Sequence, residues 1–161
     1  LEKIYSQYAS DGKSKISYST YENDEFVSVL VDINEYVEEI DEYVQKYIGF
    51  NVNKLDGQFI DKEELAEKYN YSLVDIVNKV NDRLTIFYEE ENSQGYLDED
   101  CDYSCYLSYM RSIDNILDSI ELVVKKDELV VYINLSIDDY VGDRDYFEKL
   151  NYNPYKINLE K

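Results

Sequence analysis

The spacing of apolar residues predicts most of the elements. Alternation at Ile16, Tyr18 and Tyr21 predicts a strand over Ser14–Tyr21, and Phe26–Val31 is a second β-favouring run. Glu22-Asn23-Asp24 between them reads as a hairpin turn. Farther on, Ile33, Val37, Ile40, Val44 and Tyr47 recur at helical spacing, which predicts a helix over Ile33–Tyr47 stopped by Gly49. Asp61, three residues before Glu64, caps a short helix over Asp61–Asn70. Ser72 with Asp75 opens another, whose stripe of Leu73, Ile76, Val77, Val80, Leu84 and Phe87 carries it to Tyr88. Helical spacing returns over Tyr103–Ile120. Glu121–Ser136 gives the strongest β signal, a hairpin of IELVV and LVVYINLS about KKDE. Asp138–Leu150 reads as a closing helix, and Ile4–Tyr8 as the end of a short one before a turn at Asp11-Gly12. The tail 151–161 holds the one proline, Pro154, and receives no element.

Strands, then helices, then strands and a helix give an α+β fold, with small antiparallel β-hairpins packed with several amphipathic helices. The stretch 89–102 has seven acids, no base and one glycine, and reads as an acidic connector. It divides the chain into an N-terminal lobe, 1–90, of a hairpin plus helices, and a C-terminal lobe, 103–161, of helix, hairpin and helix. A single compact domain fits the same pattern.

Charge narrows the functional classes. The 161 residues carry 36 Asp and Glu against 16 Lys and Arg and no His, a formal charge of −20. The excess is general: 11 acids against 4 bases in 1–50, 13 against 5 in 51–100, and 12 against 7 in 101–161. Binding to DNA rests on Lys and Arg replacing the counterions of phosphates, so direct nucleic-acid binding is disfavoured, as is an anionic membrane surface. No apolar run reaches the roughly 18 residues that cross a bilayer. No basic segment followed by an apolar run opens the sequence. Cys101 and Cys105 read as reduced, cytosolic packing residues, which predicts a cytoplasmic protein.

Catalytic chemistry finds little purchase. Without His there is no Ser-His or Cys-His pair. The five glycines are scattered and make no phosphate loop, and carboxylate pairs among 36 acids carry no specificity. No catalytic residue, metal ligand or cofactor is assigned. Asp98, Asp100, Asp102 and Ser104 start like a calcium loop, but Tyr103 stands where glycine is needed and Tyr109 where the bidentate Glu belongs. Lys62–Asn81 has helix-turn-helix spacing, yet its second helix would present Asp75, Asn78 and Asp82 to a groove.

Two features remain. Between Lys15 and Lys46 there are nine acids and no base. On the predicted helix Glu35, Glu38, Glu39 and Glu42 fall opposite the apolar arc, as like-charge pairs one turn apart. The 19 tyrosines exceed what a core of this size needs, so many are expected at contact surfaces beside acids, Tyr36 and Tyr43 among them. With Glu89, Glu90, Glu91 and Asp98, Glu99, Asp100, Asp102, these residues form the candidate partner-binding set. In this surface the chain resembles the anti-CRISPR and anti-restriction inhibitors of phages and mobile elements, which imitate nucleic acid. The resemblance implies a non-enzymatic inhibitor, cytoplasmic in a bacterial host, whose partner is a basic nuclease or CRISPR effector. Two alternatives share the charge: an immunity protein or antitoxin for a basic nuclease toxin, and an acidic calcium-binding or structural module.

Overall fold

The computed structural model describes residues 2–8, 12–38, 42–94, 113–134 and 156–159. Among them are four helices and two three-stranded antiparallel sheets, a mixed α and β architecture. In chain order these are α1 (Glu2–Tyr8), β1 (Lys15–Glu22), β2 (Phe26–Val37), β3 (Glu42–Asn53), α2 (Lys62–Lys68), α3 (Leu73–Gln94), α4 (Ile113–Ser119), β4 (Ile120–Lys125), β5 (Glu128–Ile133) and β6 (Lys156–Leu159). The first sheet has the order β1-β2-β3 and the second β4-β5-β6.

The predicted helix over Ile33–Tyr47 does not form. Ile33–Val37 lie in β2 and Glu42–Tyr47 in β3, the two strands being paired from Phe26↔Asn53 to Val37↔Glu42, and Gly49 lies inside β3 rather than at a helix end. The physical reason is that this sheet buries side chains on both faces. Phe26, Ser28 and Leu30 are buried on one face, and Val31 and Ile33 on the other. Filling both faces breaks the simple alternation and leaves apolar spacings that imitate a helical period. The β-branched and aromatic content of the run decides for strand.

The helical segments that follow obey their caps. Asp61 accepts the Glu64 N–H at 2.9 Å at the start of α2. That helix closes in a Schellman motif: Asn70, at a φ of 62°, donates to the Glu67 carbonyl, and Tyr71 donates to that of Ala66. Ser72 and Asp75 then form a reciprocal box, each accepting the other's N–H, at 3.1 and 2.9 Å. The helix α3 runs on to Gln94, so positions 89–94 of the expected connector are helical. The helix expected from Tyr103 is described as α4, and residues 103–112 lie outside the described residues, as does the expected closing helix Asp138–Leu150. The 121–136 hairpin is present as β4 and β5, and β6 in the tail is an addition the sequence pattern did not signal.

The main core gathers Phe26 and Ile60 with Leu65, Ala66 and Tyr69 of α2, Ile76, Val77, Val80 and Leu84 of α3, Ile116 of α4, and one face of the second sheet: Ile120, Leu122, Val124, Leu129, Val131, Ile133 and Leu159. The other face of that sheet places Val123, Val130 and Tyr132 against Leu30, with Tyr21 and Tyr47 at the margin. The second sheet therefore lies between the helices and the first sheet. On the far face of the first sheet, Lys46 reaches within 5.6 Å of the Tyr8 ring, which brings α1 against it.

Candidate partner-binding surface

The junction of the two sheets is held by side chains that close strand edges. The Asn23 N–H to Phe26 carbonyl bond, with the strand registers, fixes which backbone groups point away from the neighbouring strand. On β3 these belong to Tyr43, Gln45, Tyr47, Gly49, Asn51 and Asn53, of which the last four meet partners at the junction. The Asn134 amide accepts the Tyr47 N–H at 2.7 Å and donates to its carbonyl at 2.8 Å, as a strand residue would. Glu121 accepts from the Gly49 N–H at 3.3 Å, Ile60 donates to the Asn51 carbonyl, and Asn53 donates to that of Gln58. On β4 the outward groups belong to Ile120, Leu122 and Val124. Lys62 donates to the Ile120 carbonyl at 2.5 Å, Asn51 donates to the Leu122 carbonyl at 2.7 Å, and Ser28 accepts the Val124 N–H at 3.1 Å. Ser28 in turn donates to Asn51 at 2.7 Å, and both are buried. A Cβ on Gly49 would stand 2.9 Å from the Leu122 carbonyl, so glycine is what lets the sheets approach here.

Sequence reading passed over Ser28, Asn51, Gly49, Glu121 and Asn134. The available signal was Ser28, a serine whose strand neighbours of the same parity, Phe26 and Leu30, are apolar.

The same seam takes up part of the tyrosine. The Tyr47 and Tyr132 rings sit 4.8 Å apart at 47°. Burial, with Tyr21, Tyr47 and Asp32 nearby, pushes the Tyr132 hydroxyl well above the ordinary phenol value. Burial also raises the Asp32 carboxyl, against the opposing hydrogen bond from Gln45. Glu121 is raised by burial, against the pull of Lys62 and of the Gly49 N–H. These rings fill a junction between the sheets.

The candidate residues are not brought together as a ridge on one helix. Glu35 lies on β2 and is ion-paired with Lys46 across the strand. Glu38, in the turn, pairs with Lys13 at 3.0 Å. Tyr36 and Tyr43 face each other across the hairpin, edge to face at 5.2 Å, with the Lys13 ammonium 4.1 Å from the Tyr36 ring. Glu42 begins β3, opposite Val37. Glu35 and Glu38 therefore share no helix face, and bases distant in sequence stand beside both. Glu39, Asp98, Glu99, Asp100 and Asp102 lie outside the described residues.

Exposed carboxylates concentrate elsewhere. The α2 helix exposes Glu63, Glu64 and Glu67, and its Lys62 is directed to the Leu117 and Ile120 carbonyls. On α3, Asp75 and Asp82 are exposed, and Glu89 follows at the same seven-residue spacing. Two helical turns separate successive members, about 10 Å along the axis. The exposed Lys79 and half-buried Arg83 accompany them, and the last turn of the helix has no base. A second anionic region lies where three connections meet: Asn23 donates to the Lys126 carbonyl at 2.7 Å and Lys54 to that of Glu25 at 2.8 Å. Asp24, Glu25, Asp56 and Asp127 are exposed on these connections. Glu25 and Asp127 lie near enough to Tyr69 to reinforce the rise that burial causes in its hydroxyl.

Among the described residues no group of three or more His, Cys, Asp or Glu is placed to hold a metal ion, and no helix is long and apolar enough to cross a membrane. Comparison with protein-family models, curated proteins and solved structures finds no match to the chain.

Proposed function

We propose that this protein is a non-enzymatic acidic inhibitor that docks on the basic nucleic-acid-binding channel of a nuclease or guide-dependent effector. The observation that carries the reading is the pair of exposed carboxylates on α3, Asp75 and Asp82, in a chain of net charge −20 whose sequence continues the seven-residue spacing at Glu89. A helix that presents carboxylates two turns apart offers a basic groove part of the pattern a nucleic-acid strand offers, and gains from the same counterion release and electrostatic steering. The resemblance to anti-CRISPR and anti-restriction inhibitors supports the same reading through the surface rather than through any motif. The contact moves from the 35–42 hairpin to α3, because Glu35 and Glu38 already have lysine partners.

Capture by a panel of basic nucleases and guide-dependent effectors tests the reading with two charge-reversal variants. Asp75→Lys/Asp82→Lys/Glu89→Lys weakens capture at least about tenfold and flattens its salt dependence. Glu35→Lys/Glu38→Lys has a smaller effect. Equal capture of the wild type and the α3 triple variant would refute the assignment to α3.

A further inference from the structure

The edge of β1 stands apart from the others. On β3 the outward groups of Tyr47, Gly49, Asn51 and Asn53, and on β4 those of Ile120, Leu122 and Val124, meet Asn134, Glu121, Ile60, Gln58, Lys62, Asn51 and Ser28; the remaining outward residues of β3, Tyr43 and Gln45, follow the acidic Glu42, and β6 is four residues long. The strand β1 has eight residues and is the outer strand of its sheet. The hairpin register turns the backbone groups of Lys15, Ser17, Ser19 and Tyr21 toward β2, and those of Ile16, Tyr18, Thr20 and Glu22 to the open side. Among the described residues nothing hydrogen-bonds that open side. It carries no proline and no bulge, and between Lys15 and Glu22 no charge, although proteins ordinarily protect such an edge with one of these. Tyr18 at its centre is 66% exposed.

We infer that β1 pairs antiparallel with β1 of a second copy of this chain, about a two-fold axis at Tyr18, to make one six-stranded sheet. Charge argues for this occupant. A basic partner or a cation has nothing to hold on an uncharged strip. Two chains of charge −20 repel except where neither presents acids, and Ile16–Tyr21 is such a place. The strip is also self-complementary. A two-fold axis perpendicular to the sheet keeps both copies' faces on the same side, so opposed residues must have the same parity along the strand. Centring on Tyr18 meets that condition: Tyr18 opposes its mate, Ile16 opposes the second copy's Thr20, and Ser17 opposes Ser19. The outward N–H and C=O of Ile16, Tyr18 and Thr20 then complete the ladder without disturbing the bonds to β2. At each end Lys15 of one copy lies within one register step of Glu22 of the other, with opposite sign.

Sedimentation equilibrium of the full chain over a concentration series, at low and high salt, tests the inference together with hydrogen exchange. The expected mass is twice 19.1 kDa at high concentration. Association tightens as salt rises, because screening removes like-charge repulsion, whereas binding to a basic channel weakens. The Ile16, Tyr18 and Thr20 amides gain protection with concentration. Thr20→Pro removes an outward donor and leaves the intrachain ladder whole, and Tyr18→Glu sets two carboxylates against each other at the axis. Each weakens association at least about tenfold while the circular dichroism spectrum stays that of the wild type. Tyr18→Glu, on an exposed side chain, decides the matter where Thr20→Pro fails to fold. A monomer at every concentration and salt would overturn the inference. So would a dimer that survives Tyr18→Glu, or protection of these amides by a different protein's strand while the chain stays monomeric.

Discussion

Replacing Asn51 by Ala tests whether the two sheets are joined through the Ser28–Asn51 pair. The Asn51 amide donates to the Leu122 carbonyl at 2.7 Å, and its oxygen accepts the Ser28 hydroxyl at 2.7 Å. Ser28 also accepts the Val124 N–H at 3.1 Å. Removing the amide leaves the Leu122 carbonyl without that donor and the serine hydroxyl without its acceptor, at a site with 6% exposure for Asn51 and 0% for Ser28. An orphaned buried group costs about 1–3 kcal/mol, and two are created, one of which can turn to another partner. The expected loss is therefore about 2–4 kcal/mol for Asn51→Ala. Ser28→Ala orphans the Val124 N–H and the Asn51 oxygen, and its loss falls in the same range. Because each substitution already breaks the shared bond, the double variant costs less than the sum by about 1 kcal/mol or more. Urea denaturation followed by far-ultraviolet circular dichroism measures all three, and the absence of Trp makes tyrosine emission the second probe. Losses below about 0.5 kcal/mol for both single variants, or strict additivity in the double, would refute a hydrogen-bonded joint.

Further outcomes follow from the same geometry. Gly49→Ala forces a Cβ to within 2.9 Å of the Leu122 carbonyl, so β3 or β4 must shift, and a loss of about 1–3 kcal/mol is expected in the same assay. Asp32 and Glu121 bind protons more readily in the folded chain than in the unfolded one. Stability therefore rises on acidification through the window between each folded value and the ordinary 3.8 for Asp32 or 4.5 for Glu121. Asp32→Asn and Glu121→Gln each flatten that slope, measured by denaturation across a pH series, and an unchanged slope in both would contradict the burial of these carboxyls. Lys62→Met removes the donor to the Leu117 and Ile120 carbonyls at the end of α4, and a loss of about 1–3 kcal/mol in urea denaturation is expected.

Where local rules dominate, the sequence was readable. Asp61 with Glu64 and Ser72 with Asp75 announce α2 and α3, because a cap satisfies donors within its own first turn. The 121–136 hairpin was readable from its run of β-branched residues. The segment from Ile33 to Tyr47 was not, because a sheet covered on both faces erases the period of two, and tertiary contacts then decide between helix and strand. The extension of α3 through Glu89–Glu91 was hidden for a related reason, since acids near a helix end oppose its dipole and read as a stop. The candidate surface was legible as a charge but not as a place. Lys13 and Lys46 reach Glu38 and Glu35 only after the strands pair, so a tally along the chain could not register the neutralisation. The side chains that close the strand edges, Ser28, Asn51, Glu121 and Asn134, are ordinary polar residues whose role exists only between sheets.

The central claim is that this anionic surface occupies the site where a basic effector holds nucleic acid. Its most direct test is a competition titration, in which the effector's apparent dissociation constant for guide or DNA is measured at increasing concentrations of the acidic chain. Mutually exclusive occupancy predicts an apparent constant that climbs in proportion to the added protein without levelling off. A ternary complex, with nucleic-acid affinity unchanged while the protein is bound, would contradict it.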